Sequence, residues 1–284
     1  MKNKKSSIGV NIIMLILMLF CVMPIVLLFM GSCMTDATLL HCLGPLSSEK
    51  KSSYISWIIF PIEVSFRAYI KVLFDSPEYF VAFWNSMKVA ISVTVGQVIV
   101  GMPAAWALAK YKFRGKKIVE FLYLIIMFLP FQTVMLPQYI ILDKLGLLDT
   151  LVGIIVIGIF QSFPVFLMLG SFKNIPDSLI EAAQIDGAND FTIFTKIAVP
   201  LAMPGIISSM ILNFLEYWNI VEQPMIFLKT KSLWTLSLFL PKIDLANAKY
   251  AFGASVIMII PCIALFREFS EELENGVASL GESK

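Results

Sequence analysis

Within one apolar run, Glu216, Tyr217, Trp218 and Asn219 place a carboxylate, a phenol, an indole and an amide side by side. Such a set has the means to hold a sugar ring, because aromatic faces stack on it while carboxylate and amide groups take up hydroxyl hydrogen bonds. An ionisable side chain kept inside an apolar run is expensive and marks function by default. Gln161, with Ser162 beside it, and Gln97 are polar residues of the same kind in two other apolar runs. The alternative for each is a hydrogen bond that bridges neighbouring helices. Glu222 and Gln223 lie close to the end of their run and read as wetted groups.

A second concentration of charge is the stretch "SLIEAAQIDGANDFTIFTKIAVPLAMPG", which carries Glu181, Asp186, Asp190 and Lys196 between two apolar segments. Pro176 suits a helix entry, Ser178 and Glu181 have the spacing of a capping box, and Gly187 is a suitable stop. Ala182 and Ala183 are small enough to let another surface approach closely. Asn189 or Asp190 then caps a second short helix with Phe191, Phe194 and Ala198 on one side, and Pro200 and Pro204 turn the chain back. Two short helices with exposed aromatics make a docking surface, or else merely cover their own span ends.

Catalytic chemistry has little to stand on. No Gly-x-x-x-x-Gly-Lys-Ser/Thr phosphate loop and no His-Glu-x-x-His pair occurs, and His41 is the single histidine. Cys21 and Cys262 lie in apolar runs as packing residues, while Cys33 and Cys42 flank a loop at a spacing that matches no zinc signature. Two free thiols, rather than a disulfide, are the plainer reading of that pair. The expectation is that the chain is not an enzyme and holds no metal and no cofactor of its own.

The elements that must position these groups follow from composition. Of 284 residues, 58% are hydrophobic and 15% charged, with a mean hydropathy of +0.83. A soluble domain is about 25% charged, so the chain belongs in a bilayer. Its net charge of +2 gives no reason to expect a nucleic-acid partner. A crossing helix needs about 20 apolar residues, and six segments come near that, at 8–30, 85–109, 118–142, 151–172, 205–228 and 250–266. The first is too long for a signal-peptide core. The expected fold is all-α, a single six-span membrane domain.

Lysine and arginine concentrate on the cytoplasmic side of spans. They cluster at Lys2, Lys4 and Lys5 and in the link "KYKFRGKK", whereas "DKLGLLDT" has one lysine against two aspartates. Both termini are therefore expected in the cytoplasm of a cell membrane. The loop at 173–204, with the charged elbow, then falls on the cytoplasmic side, and the loops at 31–80 and 229–249 fall outside.

The elbow's spacing also carries a resemblance. Glu181, Ala182 and Ala183, then Gly187, then Ile197, Val199 and Pro200 are similar to the EAA loop of permease subunits in binding-protein-dependent ABC importers. "WNSMKVA", "PAAWALAKYKFRGKK" and "YWNIVEQPMIFL" resemble segments of the carbohydrate, maltose-type branch; the acidic tail "FREFSEELENGVASLGESK" departs from that branch. The resemblance implies a six-span permease of type I importer architecture that forms the path for a sugar or oligosaccharide. It implies as partners a second permease, two copies of a cytoplasmic ATPase that hold ATP and Mg, and an extracellular or periplasmic solute-binding protein. Glu181, Ala182, Ala183, Asp186, Gly187, Phe191, Phe194, Ile197 and Pro200 would couple to the ATPase. Glu216, Tyr217, Trp218, Asn219 and Gln161 remain candidates for the path. The rival reading is an ion-gradient-driven transporter of a polar solute, which leaves the EAA spacing unexplained.

Overall fold

The computed structural model describes residues 4–47, 63–240 and 247–274. Lys2, parts of both outer loops (48–62 and 241–246) and the end of the acidic tail (275–284) lie outside the described residues. Every regular element among those described is helical. The chain divides into two compact units, one of residues 1–80 and 239–260, the other of residues 81–238 and 261–284.

In the first unit, α1 (Lys4–Ser32) is apolar all round, and none of its apolar window is buried by the rest of the chain. A helix with no polar face and no protein cover belongs in hydrocarbon. Helices α2 (Asp36–Ser47) and α3 (Arg67–Phe74) follow. The Ser32 hydroxyl and the Tyr69 hydroxyl lie 2.5 Å apart, and Lys249 Nζ donates to Ser65 Oγ at 2.7 Å. All four cysteines are free, with Cys33 and Cys42 both buried.

The second unit holds the longest helices. The order is α4 (Pro77–Lys110), which begins just before this unit, then α5 (Lys116–Phe128), α6 (Phe131–Lys144), α7 (Leu151–Ile159) and α8 (Ser162–Lys173). After them come α9 (Asp177–Ile185), α10 (Asp190–Ile193), a π turn (Phe194–Ala198), α11 (Val199–Trp218), α12 (Glu222–Phe227) and α13 (Leu236–Phe239). Helix α14 (Ala248–Glu268), which begins in the first unit, follows, and residues 270–274 are helical after it. Five helical stretches are long and apolar enough to cross a bilayer, and the pair α5 and α6 makes a sixth if it counts as one.

That pair breaks the span expected at 118–142 into two helices. The two helices meet at 101°. Pro130 is the cause: it excludes the helical region for Leu129, which adopts φ −67° and ψ 124°. Two further breaks are written the same way. Helix α8 restarts after an extended Gln161 with Pro164 in its first turn, and α12 restarts after Val221 with Pro224 in its first turn. First-turn N–H groups have no acceptor within the helix, so proline costs nothing there.

Helices α8 and α11 form the closest packing of this unit. Gly205 on α11 sits so near Ser171 that a methyl group there would lie 2.6 Å from the Ser171 Cβ. Around this contact Met168, Phe172, Ala198, Ala202 and Ile206 build a buried apolar core.

Candidate functional site

Two sites emerge in the second unit, the charged elbow and a cavity where the helix breaks meet. The elbow begins at α9, whose N-cap is Pro176. No side-chain cap forms, so the capping box expected of Ser178 and Glu181 is absent. A long-range contact replaces it: Lys110, at the end of α4, donates to the Ile175 carbonyl and, at 2.7 Å, to Asp177 Oδ1. That ion pair starts the helix one residue before Ser178.

The other end of α9 is a Schellman motif. Gly187 N–H bonds to Gln184 O and Ala188 N–H to Ala183 O, both at 3.0 Å. Gly187 has φ +82°, and a Cβ there would meet nothing within 4 Å, so glycine is required by conformation and not by space. Asn189 then caps the next helix by accepting from Thr192 N–H at 2.8 Å.

That next helix is not the separate short one expected from sequence. From Asp190 to Trp218 the helix is continuous, and the π turn carries it through the prolines. Val199 N–H reaches back five residues to Phe194 O. The wider turn removes the clash that the Pro200 ring would have with a carbonyl four residues earlier.

The helix also separates residues expected on one face. Phe191 is 74% exposed, whereas Phe194 packs against Trp106 and Phe172 with ring centroids 6.0 and 6.3 Å away. Ile197 packs on the same core, Ala198 is buried within it, and Pro200 is exposed. On α9, Ala183 faces that core while Glu181, Ala182 and Ile185 face outward, with Asp186 and Gly187 exposed beyond them. The outward surface therefore presents Glu181, Ile185 and Phe191, and the inward one fixes the elbow to α4 and α8.

Both ends of the elbow are tied to consecutive residues of one helix end. Lys110 holds Asp177, and the Tyr111 hydroxyl donates to Asp190 Oδ2 at 3.0 Å. The Lys110 ammonium, by hydrogen bond and by charge, holds the Asp177 carboxyl below the usual carboxylate range. A carboxyl whose pKa is lowered on folding stabilises the fold fully above its unfolded pKa of about 4, and loses that contribution as pH falls through the lower folded value. The protection factor of amides at the start of α9, with the intrinsic pH dependence of exchange divided out, should therefore be flat from pH 7 to about pH 5 and fall below about pH 4. Asp177→Asn should remove that acid step and leave exchange in α8 unchanged.

The cavity has a volume of about 560 Å³, within the range of about 300–1,000 Å³ for small-molecule sites. All three helix breaks line it: Leu129 and Phe131 from the first, Phe160 and Gln161 from the second, Glu222 and Gln223 from the third. Non-helical backbone in a membrane is tolerated where it lines such a space. The Gln161 carbonyl, at the second break, accepts from Gln97 Nε2 at 2.9 Å. Asp149, in the left-handed region at φ +56°, fixes the chain beyond α12. Its carboxylate accepts from the N–H groups of Lys229 and Thr230 at 2.8 and 2.9 Å. The bonds from Thr230 above all hold it below the usual carboxylate range.

Of the five path residues expected from sequence, Glu216 and Gln161 line the cavity. Tyr217 and Trp218 are wholly buried instead. Trp218 stacks on Phe214, with centroids 5.9 Å apart, and meets Phe83 edge-on at 5.4 Å. Asn219 donates to its own helix at Leu215 O, 2.9 Å away. Glu222 and Gln223 are the converse case, since both line the cavity, and Gln223 is only 4% exposed. Pro224, two residues from Glu222, was the signal for their placement.

Residues 97–267 match the family described as "Binding-protein-dependent transport system inner membrane component". The arabinooligosaccharides transport system permease AraQ of Bacillus subtilis is 30% identical over 95% of this chain and 93% of its own. The multiple sugar-binding transport system permease MsmG of Streptococcus mutans is 35% identical over 68% of this chain and 72% of its own. Among solved structures, a chain of a bacterial ABC transporter that imports the acidic polysaccharide alginate superposes with a TM-score of 0.78 at 26% identity. That superposition covers 95% of this chain and 98% of the other.

Proposed function

Because the chain belongs to the inner membrane components of binding-protein-dependent transport systems, we propose that it forms the sugar path of an ATP-driven importer and couples that path to a separate ATPase through the elbow. The observation that carries this reading is the convergence of three helix breaks on one cavity, in the same unit as an elbow whose outward face carries Glu181 and Phe191. A second permease completes the path, and two copies of the ATPase hold ATP and Mg. An external solute-binding protein delivers the cargo, as in the alginate transporter solved with its pentasaccharide-bound periplasmic protein. Relatives named for arabinooligosaccharides, multiple sugars and diacetylchitobiose support a carbohydrate cargo.

The contacts of the elbow also support six spans with both termini in the cytoplasm. Lys110 touches Asp177, so the ends of α4 and α8 lie on one side of the bilayer. Helices α7 and α8 together cross once, over Leu151–Lys173. The chain between Lys116 and Lys144 must then cross once as well, and the bent pair counts as a single span. The lysines of "KYKFRGKK" put that side in the cytoplasm.

The test is uptake by vesicles that hold this chain with its partner permease, ATPase and binding protein. Sugar should accumulate with ATP inside and no ion gradient. Uptake that follows an imposed ion gradient and ignores ATP would establish the secondary transporter instead.

A further inference from the structure

We infer that the cavity selects sugars that are uncharged or cationic and rejects uronate-bearing, anionic ones; this rests on reading the cavity as the sugar path. Family membership leaves that choice open, because the relatives include permeases named for arabinooligosaccharides and for polygalacturonan, and the structural neighbour imports an acidic polysaccharide.

The lining decides it. Among the described residues two carboxylates, Glu216 and Glu222, line the cavity, and no lysine, arginine or histidine does. Gln223 is 96% buried by its 4% exposure, lines the cavity, and its Oε1 has no hydrogen-bond partner. Gln138 Oε1, on the opposite wall of the bend between α5 and α6, is likewise buried and unpartnered. A buried acceptor left without a donor costs roughly 1–3 kcal/mol, so these groups are poised for a ligand that brings donors.

Carboxylate oxygens and amide carbonyls accept and do not donate. Sugar hydroxyls and the ammonium of an amino sugar supply donors to them, and the faces of Phe131 and Phe163 offer stacking for the apolar side of a pyranose or furanose ring. A uronate brings a third carboxylate to a wall on which this chain's described residues already place two, with no cation of this chain to offset them. In a recess with low-dielectric walls, that repulsion is focused instead of screened.

The test uses the purified assembly of this chain with its partner permease and ATPase, in detergent and without the binding protein. Saturation-transfer NMR is read on three probes: arabinotriose, trigalacturonate and the glucosamine trimer. Arabinotriose and the glucosamine trimer should bind, and trigalacturonate should bind at least about tenfold more weakly at low salt, with the gap narrowing as salt rises. Glu216→Gln with Glu222→Gln should close most of that gap, read as the ratio of trigalacturonate to arabinotriose affinity in the same variant. Equal binding of trigalacturonate and arabinotriose by the unaltered assembly would overturn the inference, as would the absence of any trisaccharide binding. If uptake in vesicles is nonetheless ATP-dependent, the importer reading survives and only the charge selection fails.

Discussion

Glu181→Lys will leave the chain folded in the membrane and abolish sugar uptake. Glu181 is exposed, one helical turn from Ile185, which is 86% exposed, and opposite the buried Ala183. Exposed substitutions away from caps and cores usually change stability by less than about 0.5 kcal/mol, so the fold has little to lose. The proposed contact has much more to lose. Removing one half of a desolvated charge pair at an interface costs about 2–5 kcal/mol, which corresponds to roughly 30-fold to several-thousand-fold weaker association. Reversal of the sign adds repulsion to that loss. Co-purification of the ATPase with the membrane fraction reads the first effect, and vesicle uptake reads the second. Unimpaired uptake by the variant would remove the elbow from the coupling path.

The second large effect concerns the fold beneath the elbow. Gly205→Ala places a methyl group 2.6 Å from the Ser171 Cβ and closer still to its hydroxyl. A serine rotamer change can clear the hydroxyl but not the Cβ, so α8 and α11 must separate. Overpacking of this kind costs about 1–3 kcal/mol, occasionally more. The thermal midpoint of the purified chain should fall, and less folded protein should reach the membrane. Ser171→Gly on the same chain should restore much of the loss, because it removes the atoms that collide. A lowered midpoint that the double variant leaves uncorrected would show that the helices separate for another reason.

Much of this architecture is legible in residue order, and the exceptions share a cause. Apolar run length reports that a segment crosses a bilayer, but not in which direction it continues after Pro130. The prolines at 130, 164 and 224 are visible in the sequence, yet only folding shows that their breaks meet around one space. The capping box on Ser178 failed because local spacing cannot register Lys110, which lies 67 residues from Asp177 in the chain. Gly187 succeeded because its positive φ is a local requirement. The four adjacent path residues divide between cavity and core for a geometric reason that helix periodicity contains. Successive residues on a helix are turned by about 100°, so Glu216, Tyr217, Trp218 and Asn219 cannot all look into one cavity. Two of them form the wall's backing instead, where burial of an indole and a phenol stiffens the helix that presents Glu216.

The π turn at Phe194–Ala198 sets the angular phase of the elbow. It holds one more residue than an α turn of the same height, and one residue is about 100° of rotation. Everything before Phe194 is thereby dialled a quarter-turn or so relative to α11. Without that offset Phe191 would point elsewhere, and Asp190 would swing away from the Tyr111 hydroxyl that now holds it at 3.0 Å. The inserted residue acts as the index mark of a rotary joint, and the sequence encodes by a single extra position which way the outward face of the elbow is turned.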